Sequence, residues 1–168
     1  MIPPRYDRRE IVFGVVMAGI ILAGCATEKS AKTTPIHFVV EADQLVNPNE
    51  SGDPSPVVVR IYELKATSTF NQAQFFDLLD NDAKVLGPDL VAKRELELKP
   101  GDRADFKRDT PVETRYVGVM AGFRTGDSSQ WRKTADIEPE RNNSIIVKVA
   151  ASAISIEKEA SRDWWKVF

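Results

Sequence analysis

The chain holds one cysteine and one histidine in 168 residues, so the side chains able to do nucleophilic or metal chemistry can be weighed singly. Cys25 closes the run Leu22-Ala23-Gly24-Cys25, downstream of Arg5, Arg8 and Arg9 and of an uncharged stretch from Ile11 to Ala23. Basic residues, an apolar run and small residues at a cut site make a secretory signal over residues 1–24. As a helix the apolar run would rise about 20 Å, too short for the ~30 Å hydrocarbon core of a bilayer. Cys25 has no second cysteine to pair with and nothing globular around it, which argues against both a disulfide and a buried core thiol. A metal site at His37 would have to be built of carboxylates alone, and the residue reads as an ordinary surface histidine. Asp77, Asp80 and Asp82 invite an acid–base or calcium reading. Asp80-Asn81-Asp82 lacks the glycine and closing glutamate of a calcium loop, and these carboxylates read as a solvated face where a helix ends. Glu95 and Glu97 share a strand face and point outward. No phosphate-cradling glycine loop or Gly-x-Ser-x-Gly elbow occurs, and one histidine cannot assemble the common nucleophile–base pairs. The sequence predicts no catalytic residue, no metal and no enzyme.

These residues sit in an ordinary globular composition, 42% hydrophobic and 29% charged, with enough chain after residue 24 for one domain. A formal charge of −2 without a basic patch argues against nucleic acid as a partner. Residues 25–35 are polar, small and aperiodic, and read as a tether. From Ile36 the period is two: Ile36, Phe38, Val40 and Ala42 share one face and His37 and Glu41 the other, with Val39 breaking the pattern. Val57 to Leu64 is the β-branched run of a central strand. Between Thr69 and Asp80 the period becomes helical. Ala73, Phe75, Phe76, Leu78 and Leu79 form a wide stripe behind a Thr69/Gln72 capping pattern, which predicts one helix across an end or face of a sheet. Strand periods return around Leu96 and Leu98, Ala104 and Phe106, Arg115 to Arg124, towards Ile137, Ser144 to Val149, and Ile154 with Ile156. Within Arg115 to Arg124, Val117, Val119, Ala121 and Phe123 face inward, and Gly118 and Gly122 mark a close approach or a bulge. About seven to nine short strands with one inserted helix predict a mainly all-β fold, a β-sandwich over residues 36–157.

Two stretches are left over. Val46, Asn47, Pro48, Asn49, Glu50, Ser51, Gly52, Asp53, Pro54 and Ser55 form a loop by turn chemistry, long against the ~2–5 residues of a hairpin connection. Its prolines reduce the freedom it would lose on binding, so a shaped protrusion is expected. The tail, residues 158–168, ends in Trp164-Trp165-Lys166-Val167-Phe168, large aromatics that either dock back on the sandwich or meet a membrane or partner. A small-ligand-binding periplasmic lipoprotein is the alternative reading; it would need an unfilled interior, whereas the inward Phe, Val and Leu side chains suffice to fill it.

Leu22-Ala23-Gly24-Cys25 resembles the lipobox of bacterial lipoproteins, in which the cysteine is diacylated and cleavage leaves it, here Cys25, as the first residue. Ala26 in place of the aspartate that favours inner-membrane retention implies sorting to the outer membrane, on its periplasmic side. Downstream, Asn47-Pro48-Asn49, Gly52, Pro54, Pro56-Val57-Val58-Val59-Arg60-Ile61-Tyr62-Glu63-Leu64, Phe70, Ala73 and Phe75-Phe76 resemble the TssJ lipoproteins of type VI secretion systems. Asp89-Leu90, Leu98-Lys99-Pro100-Gly101, Tyr116-Val117-Gly118-Val119, Ala121, Phe123-Arg124 and Trp131-Arg132 continue the likeness in family order. The resemblance implies a transthyretin-like sandwich of two antiparallel sheets with one added short helix. It implies no cofactor beyond the acyl lipid on Cys25 and no small-molecule substrate. It also implies a partner, the periplasmic C-terminal domain of a TssM-like inner-membrane protein, gripped through the loop between the first two strands, here Val46 to Ser55.

Overall fold

The computed structural model describes residues 32–159. In chain order its elements are β1 (Thr33–Ala42), β2 (Val57–Leu64), α1 (Ser68–Gln72), α2 (Phe75–Leu86), β3 (Leu90–Leu98), β4 (Arg103–Pro111), β5 (Tyr116–Ala121), β6 (Arg132–Asp136), β7 (Asn143–Val149) and β8 (Ile154–Glu159). The strands form two four-stranded sheets, ordered β4-β1-β7-β8 and β3-β2-β5-β6. The second sheet is antiparallel throughout. The first departs from the expected antiparallel pattern at one pair: β1 and β7 run parallel, with Phe38 beside Ile145. β7 returns to β1 only after the chain has built the whole second sheet, and so long a connection frees it from the geometry that a tight hairpin imposes.

Alternation builds the core as the sequence indicates. Ile36, Phe38 and Val40 of β1 are buried in one cluster with Val59 and Ile61 of β2 and Val119 of β5. Phe38 also stacks on Phe106 of β4, with ring centroids 5.2 Å apart. Each such side chain contributes roughly 1.5–3 kcal/mol by leaving water, and side chains of both sheets join in one buried cluster. β1 starts at Thr33 rather than Ile36, so Thr33 to Pro35 belong to the sheet and not to the tether. Thr34 is fully buried and its hydroxyl accepts the Glu140 N–H at 2.9 Å. At the other end β8 runs on to Glu159, two residues past the expected limit at 157.

Helices cover the outer face of the second sheet. Where one helix was expected over Thr69 to Asp80, there are two, separated at Ala73 and Gln74, both extended. α2 continues to Leu86 through a kink at Asn81 (φ −138°, ψ 32°). Thr69 is not a cap; its hydroxyl donates to Asp89 at 2.9 Å. Phe70 of α1 is fully buried over Gly118. A Cβ on Gly118 would stand 3.0 Å from Leu64 Cδ1 and 3.1 Å from Phe70 Cζ, so the glycine does mark a close approach. Arg132 donates to the Phe70 and Ala73 carbonyls at 3.0 and 2.5 Å, holding the break between the helices. Beside it Trp131 packs edge-on to Phe75. Among the described residues no helix covers the outer face of the first sheet, and there His37 pairs with Asp105 at 2.7 Å as a surface residue.

Strand register sorts the connections between two ends. Thr33 lies beside Pro111, Ile36 beside Asn143, and Ser144 beside Glu159, so the described chain enters and leaves at one end. Ala42 beside Val149, Val57 beside Leu98 and Met120 beside Arg132 define the other. The connections 43–56, 99–102, 122–131 and 150–153 all gather at this second end.

Candidate partner-binding surface

β1 and β2 lie in different sheets, so residues 43–56 are a crossover and not a hairpin; part of their length spans the ~10 Å between sheets. The remainder is folded on itself. Asn49 is the hub of the tip. Its side-chain Oδ1 accepts the Ser51 and Asp53 N–H groups, both at 2.9 Å, and its Nδ2 donates to Asp53 at 3.2 Å. Its backbone exchanges bonds with Asp53 and Gly52 at 2.8 and 2.9 Å. This is the local side-chain capture that makes asparagine a turn residue, and Gly52 supplies the left-handed φ of 87°. The Ser55 N–H closes the neck on the Val46 carbonyl at 3.1 Å.

The loop divides into a presented tip and a buried base. Glu50, Ser51, Gly52, Asp53 and Pro54 are exposed, and Pro48 and Asn49 half-buried. Val46, Asn47 and Ser55 are buried; of the ten residues expected to meet a partner, these three position the others. Asn47, only 4% exposed and left-handed at φ 49°, ties three loops together. Its N–H donates to Ala151 of the β7–β8 turn at 3.0 Å, its Nδ2 to the Pro56 carbonyl at 2.7 Å, and its Oδ1 accepts the Arg124 N–H at 2.8 Å. One residue missing from the expected set belongs to this surface. Leu45 is 63% exposed, and its N–H is held by the Asp43 carboxylate at 2.8 Å. The spacing Asp43-x-Leu45 is itself an Asx-turn signal.

Two buried polar clusters hold the scaffold behind this surface. Asp82 does not lie on a solvated helix end: it sits inside α2, faces the sheet and is 6% exposed. Lys93 donates to it at 2.7 and 3.0 Å and the Tyr62 hydroxyl at 3.0 Å, while Arg60 reaches the Leu78 and Leu79 carbonyls at 3.1 and 2.7 Å. Burial pushes the Asp82 carboxyl up, but the bonds from Lys93 and Tyr62 outweigh it and hold the group below the usual carboxylate range. Burial, with Asp82 alongside, pushes the Tyr62 hydroxyl well above its ordinary value, so it stays a donor. Between the sheets, Glu63 accepts from Thr110 and forms an ion pair with Arg108, whose Nε touches it without hydrogen-bond alignment. Among the described residues no three His, Cys, Asp or Glu side chains gather as a metal site, and no helix is long and apolar enough to cross a membrane. Cys25, the leader and the Trp164-Trp165 tail lie outside the described residues.

A sandwich with an apolar core, one face closed by helices and one end built of interlocked loops defines a loop-presenting β-sandwich module. The chain belongs to the type VI secretion lipoprotein family, that of VasD, EvfM and TssJ, whose family model matches residues 34–152. Its structure is similar to the crystal structure of the type VI secretion lipoprotein TssJ1 from Pseudomonas aeruginosa, at 32% identity and a TM-score of 0.74 over 77% of this chain and 98% of that one. It shares its fold with Serratia marcescens Lip, described as a membrane-bound component of the type VI secretion system, at 23% identity and a TM-score of 0.67 over 74% and 97% of the two chains. It also shares it with a chain of a structure described as the TssM C-terminal domain from EAEC, at 23% identity and 0.61 over 73% and 97%. No curated protein sequence matches this chain.

Proposed function

We propose that the chain is an outer-membrane lipoprotein, acylated on Cys25, that holds the periplasmic C-terminal domain of a TssM-like inner-membrane protein and so ties a type VI secretion membrane complex to the outer membrane. The observation that carries this reading is polarity. The described chain enters the sandwich at one end, and the pre-folded loop tip stands at the other, separated by the ten residues of β1, about 33 Å of strand. An anchor at Cys25 would join the sandwich at its entry end, through at most ~29 Å of extended chain, and the loop tip at the opposite end is the part offered to the inner-membrane partner. Two acyl chains make such anchoring stable where one is marginal. The role is structural. The large aromatic and aliphatic side chains buried between the sheets weigh against a small-ligand carrier.

Two measurements test it. Cys25→Ser accumulates as unprocessed precursor without acyl label and is lost from the outer-membrane fraction; normal processing and retention of that variant overturn the anchor. Replacing the exposed tip, residues 50–54, by a glycine-serine linker of equal length weakens binding to the TssM-type domain by at least ~10-fold in calorimetry. The melting temperature shifts little, because every residue exchanged is exposed. Undiminished binding rejects the loop as the site.

A further inference from the structure

We propose that Leu45, outside the loop segment assigned above, is the apolar anchor of the partner contact, and that the partner offers it an apolar pocket rimmed by basic side chains. The inference rests on the reading that this end of the sandwich is where the partner binds. Only two large hydrophobic side chains among the described residues stand mostly in solvent, Leu45 at 63% and Phe76 at 60%. Phe76 rests edge-on against Phe75, with centroids 5.2 Å apart, on the helical face. Leu45 stands at the loop end, one residue before the neck of the protrusion.

The backbone under Leu45 is fixed on both sides. The Asp43 carboxylate holds the Leu45 N–H at 2.8 Å. The Asp43 carbonyl accepts the Val46 N–H at 3.2 Å and the Gly101 N–H at 3.3 Å, and the Asp43 N–H donates to Val149 at 2.9 Å. Val46, the next residue, is fully buried. A leucine projected from so constrained a segment loses little backbone freedom on docking, which is the condition under which an apolar side chain gives its full transfer free energy to binding.

Charge supports the basic rim. The described ionisable side chains in the connections of this end are Asp43, Glu50, Asp53 and Asp102 against Lys99 and Arg124. The carboxylates of Asp43, Asp53 and Asp102 are committed to local turns, with Leu45, Asn49 and Lys99 respectively, so they stay in place as fixed negative charge. An apolar side chain on an end where four carboxylates stand against two cations fits a complementary patch of opposite sign, which speeds encounter and selects the partner.

The test is calorimetric titration of the full acylated chain in detergent with the periplasmic C-terminal domain of the TssM-type protein of the same system, at low and at raised salt. Leu45→Ala weakens binding at least ~10-fold and Leu45→Asp more than ~100-fold, both with unchanged melting, and wild-type affinity falls as salt rises. If both Leu45 variants bind within twofold of wild type while the tip replacement does not bind, Leu45 is no anchor and the loop reading stands. If Leu45 variants and tip replacement all bind like wild type, or wild type does not bind, the site itself is wrong and the proposal falls with it. Affinity independent of salt overturns the basic rim.

Discussion

Asn47→Ala lowers the stability of the folded domain by about 3–5 kcal/mol, read as a fall in the chemical denaturation midpoint at unchanged slope. The figure has two parts. Removing the amide leaves the Arg124 N–H and the Pro56 carbonyl, both partly buried, without the partners that now hold them at 2.8 and 2.7 Å; each orphaned group costs about 1–2 kcal/mol. Alanine must also adopt φ 49°, which costs about 1 kcal/mol more for a residue with a Cβ and no polar side chain to compensate. Asn47→Gly separates the two, since glycine takes that φ freely and loses only the bonds. It recovers about 1 kcal/mol relative to alanine. A glycine variant no more stable than the alanine one removes the backbone part of the argument, and an alanine variant as stable as wild type removes all of it. Because Asn47, itself buried, joins the crossover to the β5–β6 and β7–β8 connections, partner affinity is expected to drop with it.

That division between presenting and positioning residues was not legible in the sequence. Turn chemistry gave the protrusion correctly, because Asn49, Gly52 and the prolines act locally, within a few residues of themselves. Asn47 acts on Arg124 and Ala151, distant in sequence, and an asparagine in a polar loop carries no mark that distinguishes a buried clasp from a solvated tip. The same limit explains the start of β1. Its alternation is plain from Ile36 onward, whereas Thr34 is buried beside Thr110 and close to Glu140 and looks, in a row of small polar residues, like tether. Thr69 and Gln72 have the spacing of a capping box, but the Thr69 hydroxyl is taken by Asp89, a tertiary contact that overrides local propensity. That the loop of residues 43–56 crosses between sheets is not legible locally, since strand pairing is a non-local property. What the alternation did give, the inward faces of β1 and β5 and the places of most other strands, was sufficient to place the sandwich.

Asp82 shows the limit most sharply, and its replacement has the other large effect. In the sequence Asp80-Asn81-Asp82 is a polar run beyond an apolar stripe. In the fold the kink at Asn81 turns Asp82 onto the sheet, where Lys93 and Tyr62 receive it and Arg60 takes up the Leu78 and Leu79 carbonyls just before the bend. Asp82→Asn keeps the shape and removes the charge, leaving Lys93 and Arg60 against a neutral group. Breaking a fully buried pair costs about 3–5 kcal/mol. Lys93 is 37% exposed and can turn its ammonium to water, so about 2–3 kcal/mol is expected at neutral pH. The pH dependence gives the sign. A carboxyl held below its unfolded value contributes stability that is complete above that value and is lost as pH falls through the lower, folded one. The gap between wild type and Asp82→Asn is therefore full at pH 7 and closes below about pH 4, with the wild type losing stability on the acid side faster than the variant. A gap that stays constant down to pH 2.5 would mean that the packing of α2, and not the charge on Asp82, holds the helix to the sheet.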